Sequence, residues 1–381
     1  MPRSKTTGEK SLALHKKNVG KFCVASKVPL DNADDLSVVY TPGVGTVSSF
    51  LSKNKNKARE YTMKGNSVAV VSDGSAVLGL GNIGPEAALP VMEGKCLIFK
   101  KFADIDAVPI VLSTQNTEEI ISAVKAISPT FGGINLEDIS APRCFEIEER
   151  LKTELDIPVM HDDQHGTAIV ILAGLINALK VVKKKISDVK IVVSGAGAAG
   201  VAAVKMILGE GAKNILVLDS KGIIHKNREG LNGEKIKIAE TTNSNNCSGN
   251  LSDALEGADV FIGVSAAGIL TQEMVRKMAK NPVIFALANP VPEIMPDLAL
   301  KAGAKIVATG RSDFPNQLNN ALVFPGVFRG AIDNKISKIT DEMKRKAARA
   351  LAKLVSKPNS KLLVPKVFDK RVVKTVSRAI R

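Results

Sequence analysis

The chain has little of what marks a secreted or membrane protein. Only four of its 381 residues are cysteines. Cys23, Cys96, Cys144 and Cys247 are scattered, with no Cys-x-x-Cys pair, so neither a disulfide framework nor a cysteine zinc site is expected. No stretch reaches the ~18 unbroken apolar residues of a membrane span. The longest candidate, 167–182, is interrupted by Asn177 and Lys180. The N-terminus is basic but lacks the apolar core of a secretory signal. These absences predict a cytoplasmic protein with reduced thiols and no membrane partner. Tyrosine is also scarce, with two in the chain, so a tyrosine beside a flexible loop stands out.

What is present points to two domains. The length exceeds one ordinary core, and an apolar content of 45% suits a globular chain. The net charge is +15, and much of it is local. Residues 335–381 carry fifteen Lys or Arg against Asp341, Glu342 and Asp369, about +12 in one segment. That segment has one aromatic, Phe368, and no nucleic-acid module. Ile332, Ile336, Ile339 and Met343 recur at helical spacing, as do Ala347, Leu351 and Leu354. A solvated amphipathic helical tail is therefore expected, with no nucleic-acid partner.

Two pairs of adjacent acids, Glu137-Asp138 and Asp162-Asp163, each follow a short apolar run. Such runs read as buried strands, which puts each pair at a strand's C-terminal edge, where open α/β sheets bind ligands. Convergent carboxylates repel one another unless a cation sits among them. All-oxygen ligation suits Mg²⁺ or Mn²⁺ rather than Zn²⁺. Gly166-Thr167 then opens a long apolar helix, and the boundary between the units is placed there, as 1–163 and 164–381.

The second unit carries the strongest general motif. Val189–Val193 reads as a strand, Ser194-Gly-Ala-Gly-Ala-Ala-Gly200 follows at once, and Asn214–Leu218 is a second strand ending in Asp219. This is a dinucleotide fingerprint in its strand–turn–helix setting. Gly195 permits the turn, Gly197 lets the backbone approach a pyrophosphate, and Gly200 lets the helix pack on the strand. Ala198 and Ala199 complete the loop, whose amides and helix N-terminus face the phosphates. Asp219 is placed to hold the adenosine ribose, which favours NAD. Ser220-Lys221 can accept a 2′-phosphate and offset Asp219, so NADP is expected to serve as well. A second G-x-G-x-x-G, at Gly79, Gly81 and Gly84, has no acid about 20 residues on and reads as a loop approaching another element closely. The fold class expected is α/β: an N-terminal substrate and metal unit plus a Rossmann-type doubly wound one.

Three positions have milder signals. Tyr40 ends an element before Thr41-Pro42-Gly43. Lys95 borders the buried run Cys96–Phe99, where it either snorkels to water or is desolvated into a usable base. Asn289 and Asn320 lie on loops leaving the second sheet, where an amide can bind a carboxylate or hydroxyl, or simply close an Asx-turn.

Taken together, these segments resemble the malic enzymes of the short bacterial and archaeal type. The resemblance runs from about Leu12 to Asp333. It rests on Tyr40-Thr-Pro-Gly-Val44, Asp73 to Gly84, Gly133 to Ile139, His161 to Ala168, Ala308 to Asn316, and Asn319 to Gly326. It implies oxidative decarboxylation of L-malate to pyruvate and CO₂, with NAD or NADP and a divalent metal. By position, Tyr40 is similar to the family's acid and Lys95 to its base, the latter neutral and assisted by Asp162. Glu137, Asp138 and Asp163 resemble the metal ligands, and Asn289 and Asn320 the substrate ligands. The resemblance also implies a homodimer with exchanged N-terminal segments. Larger members carry an arginine where Ala76 stands here, so the group that holds the second malate carboxylate stays open. Val44-Gly-Thr46 also departs from the family's common Val-Ala-Glu. A plain malate dehydrogenase is the rival expectation, but its chemistry needs no metal site.

Overall fold

The computed structural model describes residues 6–77 and 79–381. Residues 1–5, assigned above to the first unit, and Leu78 of the Asp73–Gly84 segment lie outside the described residues.

β-branched runs build two parallel sheets. The first holds β1 (Ser67–Ser72), β2 (Asp106–Val111), β3 (Gly133–Leu136) and β4 (Val159–His161) in the order β2-β1-β3-β4. The second holds β5 (Lys190–Ser194), β6 (Asn214–Asp219), β7 (Gly222–Ile223), β8 (Val260–Gly263), β9 (Val283–Ala286) and β10 (Ile306–Thr309). Its order is β10-β9-β8-β5-β6-β7, with only β7 antiparallel. The order reverses between β5 and β8, and at such a switch point the strand ends leave a crevice for a dinucleotide.

Two helices position the chemistry. Gly84 and Pro85 start the helix Pro85–Ala103, and Asp104, at φ 50°, ends it. Its buried face is Ala88, Met92, Lys95, Cys96, Phe99 and Ala103, so the run Cys96–Phe99 is helix interior and carries Lys95 inward with it. The helix Asp162–Val182 begins five residues before the expected start at Thr167. No glycine or proline separates β4 from Asp162, and two acids are favourable in a first helical turn. This helix is long and apolar enough to cross a membrane by length and composition, but it is the packed centre of the molecule, with most of its residues buried.

The basic C-terminal segment also packs. The helix Asp341–Lys353 lies on Asp162–Val182, and Arg371–Ala379 lies on Phe324–Asp333. The stripe from Ile332 to Met343 is not one helix, because residues 334–340 break it. Ala347, Leu351, Val372 and Val376 are fully buried or nearly so. The apolar stripes are inside, and the lysines and arginines sit mostly on the outer face.

Candidate active site

The acid pairs converge at the C-terminal edge of the first sheet. Asp138 adopts φ 53°, a left-handed conformation that aspartate tolerates better than most residues. Its N–H donates to Asp163 Oδ2 at 2.8 Å, and its carbonyl accepts the N–H of Ala76 at 2.9 Å. The exits of β1, β3 and β4 are thereby tied together. Glu137, Asp138 and Asp163 each offer one oxygen, all within 4.8 Å of one another. Glu137 and Asp138 are buried, and Asp163 is one-third exposed. Three convergent oxygens, one open to solvent, fit a hard divalent cation.

Lys95 reaches into this group. Its Nζ lies 2.5 Å from both Asp162 Oδ2 and Glu137 Oε1, and 4.4 Å from the centre of the Phe324 ring. The neutral lysine implied by the resemblance is not the state these carboxylates favour on their own. Burial pushes the ammonium pKa down, but Asp162, Glu137 and Asp163 more than reverse this and hold it above the ordinary lysine range. The carboxylates respond to the same crowding. Burial and Asp163 drive Glu137 well up against the pull of Lys95, and burial lifts Asp162 to about 6. A side chain at Gly166 would place its first carbon 1.8 Å from Asp162 Oδ1 and 3.2 Å from the Asn320 side chain. Asn320 is thus beside Asp162.

The cofactor motif forms a cleft of about 720 Å³ in front of β5 and β6, lined among others by Gly195, Gly197, Asp219, Ser220, Lys235 and Val264. Gly195 has φ 117°, and a side chain at Gly200 would meet the Gly195 carbonyl at 1.8 Å. Ala198 and Gly200 lie in the first turn of the helix Ala198–Gly209. Ala141 and Pro142, from the loop after Asp138, also line the cleft. Asp219 is more heavily balanced than its sequence neighbours suggest. It accepts hydrogen bonds from Arg228 and, at 2.6 Å, from Lys235 Nζ. Burial works against its charge, yet these two donors bring it down to about 2. Lys221 contributes its backbone N–H, at 2.9 Å.

The remaining candidates, Asn289 and Tyr40, are exposed. The Asn289 carbonyl lies where any side chain on Gly79 would be, 2.1 Å from its first carbon. The loop of the first unit therefore does approach another element closely, at the exit of β9. Asn289 itself is exposed. Tyr40 is 65% exposed and is not enclosed with Lys95.

Comparison with known proteins decides the family. Residues 20–152 match the malic enzyme N-terminal domain and residues 164–380 the malic enzyme NAD-binding domain. The chain belongs to the malic enzyme family. It is 57% identical to the NAD-dependent malic enzyme of Geobacillus stearothermophilus, over 95% of this chain and 76% of that one. It is 56% identical to the bifunctional malic/malolactic enzyme of Bacillus subtilis, over 98% and 92%. The crystal structure of the NAD-dependent malic enzyme of Thermotoga maritima superposes with a TM-score of 0.94 at 53% identity, covering 97% of this chain and 98% of that one. NADP-dependent malic enzymes are also among its relatives. The chain is accordingly an NAD(P)-dependent oxidoreductase of the malic enzyme family, whose reaction is the oxidative decarboxylation of malate.

Sequence reasoning missed several groups around this malic enzyme's site. Arg228 and Lys235 belong to no motif, and only the run of basic residues from Lys226 to Lys237 hints at them. Arg143 Nη2 meets Asp73 Oδ2 at 3.0 Å and the hydroxyls of Ser75 and Ser140 at 3.1 Å, which joins the exits of β1 and β3. His161 is fully buried, with Nε2 3.4 Å from Asp163 Oδ2, and burial lowers its pKa.

Proposed function

We propose that this chain oxidatively decarboxylates L-malate as a divalent-metal-dependent cytoplasmic enzyme that accepts both NAD and NADP. The observation that carries this is the placement of three metal-competent carboxylates against a buried lysine–aspartate pair, with the loop after Asp138 lining the dinucleotide cleft. Glu137, Asp138 and Asp163 would hold the cation. When bound, the nicotinamide would supply the hydride acceptor for C2 and the cation would supply Lewis-acid polarisation of the C2 oxygen. Lys95, once a cation among Glu137, Asp138 and Asp163 offsets the charge that otherwise keeps it protonated, is free to receive the proton of the C2 hydroxyl while Asp162 holds its Nζ in place. Burial already disfavours the ammonium form, so the surrounding carboxylate charge is what keeps the proton on Lys95. Asn289 and Asn320 bind malate oxygens without adding charge. Tyr40 delivers a proton to C3. Tyr40 is exposed, and a second chain packed over it would enclose it for that role. The helices Thr7–Asn18, Ala33–Val39 and Gly43–Lys53 bury none of their own side chains, and Leu36, Val38, Val44, Val47 and Phe50 remain exposed beside them. A homodimer that covers this face supports the reading.

The test is purified protein with L-malate, Mn²⁺ and each cofactor in turn, following reduced nicotinamide and CO₂ together. Reduction without CO₂ would leave a plain dehydrogenase. Lactate is measured in the same assay, because the Bacillus subtilis relative is named for a malolactic activity as well.

The same assay settles the cofactor. Lys235 and Arg228 offset Asp219, and each contact of this kind is worth on the order of 1–4 kcal/mol near a protein surface. Discrimination between NAD and NADP should therefore stay within roughly a hundredfold, about 2.7 kcal/mol. Lys235→Ala is expected to lower kcat/KM for NADP strongly and for NAD little, with Lys221→Ala acting in the same direction more weakly. Equal losses for both cofactors in Lys235→Ala would show that Lys235 does not meet the 2′-phosphate.

A further inference from the structure

Glu148 is a buried acid with no part in the steps above. It lies on the inner face of the helix Arg143–Glu154, with Cys144, Ile147 and Leu151, and is 3% exposed. A carboxylate is tolerated there only if its oxygens are fully engaged. Oε1 accepts the backbone N–H of His161 at 2.9 Å. Oε2 accepts from His165 Nε2 and from Lys152 Nζ, each at 2.9 Å, with Gln164 Nε2 at 3.5 Å. Behind His165 stands Lys344 of the helix Asp341–Lys353. It is 2% exposed, with Nζ 3.4 Å from His165 Nε2 and 2.9 Å from Asp341 Oδ1.

The two residues that Glu148 grips, His161 and His165, bracket Asp162 and Asp163. One carboxylate thus holds the last residue of β4 and the first turn of the following helix from both sides. Between those holds lie the residue that orients Lys95 and the residue assigned to the cation. We propose that Glu148 is the positioning residue of the active site, a clamp that sets Asp162 and Asp163 at their working angles, with Lys344 bracing it from the C-terminal helices. This rests on the metal assignment of Asp163. Groups that orient metal ligands from behind are worth about 10- to 100-fold in metal affinity.

The test is Mn²⁺ binding to the full-length protein, followed by electron paramagnetic resonance without substrate, beside melting temperature and NADH affinity. Glu148→Ala is expected to weaken Mn²⁺ binding about 10- to 100-fold and to leave NADH affinity unchanged. Glu148→Gln should recover most of the loss. Its amide oxygen still accepts the His161 N–H, its amide nitrogen can donate to His165 in the other tautomer, and the partly exposed Lys152, which loses its acceptor, can turn to water. A purely structural role would lower the melting temperature of both variants and leave the Mn²⁺ affinity of the folded protein untouched. Wild-type affinity in folded Glu148→Ala overturns the positioning role, as does a Gln variant no tighter than Ala. If Glu148→Ala does not fold, His165→Phe keeps the ring and removes its N–H. It should weaken Mn²⁺ in the same direction, and unchanged affinity there also overturns the role. A wild type that binds no Mn²⁺ at all overturns the metal assignment, and the clamp with it.

Discussion

Asp163→Asn is expected to lose about a thousandfold or more of malate turnover, a loss near 4 kcal/mol of transition-state stabilisation. The asparagine keeps an oxygen for the N–H of Asp138, so the exits of β3 and β4 stay joined. What disappears is one charge from a crowded group. Glu137 is already pushed well up by burial and by Asp163, so removing that charge relieves repulsion in the metal-free protein. Metal-free Asp163→Asn should therefore melt at or above the temperature of metal-free wild type. Mn²⁺ at a hundred times its dissociation constant should stabilise wild type by about 2.7 kcal/mol and leave the variant unmoved. A loss of activity that merely reflected misfolding would show the opposite sign in the metal-free melt. Full activity of wild type after exhaustive EDTA treatment would sink the metal assignment.

Much of this site is legible in the sequence, and the limits have physical causes. The segment Val189–Asp219 is legible because a tight strand–turn–helix needs glycine where a side chain would meet backbone, and Gly195 and Gly200 sit at those contacts. The acid pairs are legible because they interrupt apolar runs. The charge state of Lys95 is not, because it depends on three carboxylates from β3 and from the Asp162–Val182 helix arriving within reach of one helix face. The start of the helix at Asp162 is hidden by Gly166-Thr167, which looks like a helix opening. Gly166 is instead the residue that makes room for the Asp162 carboxylate. Arg228, Lys235 and Glu148 share one difficulty. Each acts across a gap in sequence, so spacing carries no sign of it, and for Glu148 the only local hint is an acid at a buried helical position. The basic C-terminal segment misleads in the other direction. Its charge dominates its composition, while the small and β-branched residues that bury it, Ala347, Val372 and Val376, are a minority.

Lys95→Ala and Tyr40→Phe are expected to fail at different steps, and the difference locates each group. A positioned proton donor or acceptor contributes about 10²–10⁴-fold. Lys95→Ala should lose malate oxidation by that order, because no other buried base contacts Asp162 among the described residues. Tyr40→Phe should still release CO₂ from oxaloacetate but form pyruvate slowly, with the enol ketonising in solution. The exposure of Tyr40 then makes a sharper prediction. If its hydroxyl serves the Lys95 of the partner subunit, a hybrid of the two variants contains one site with both groups intact and one with neither. Random reassortment of an equal mixture should then restore about a quarter of wild-type activity from two nearly inactive proteins, as a shared two-fold interface requires. The apolar face of residues 33–53, which one chain alone leaves exposed, is the surface through which that exchange would occur. Hybrids shown by mass to have formed, yet no more active than their parents, would place Tyr40 and Lys95 in the same chain or remove Tyr40 from the reaction. Wild-type pyruvate formation by Tyr40→Phe alone would decide for removal.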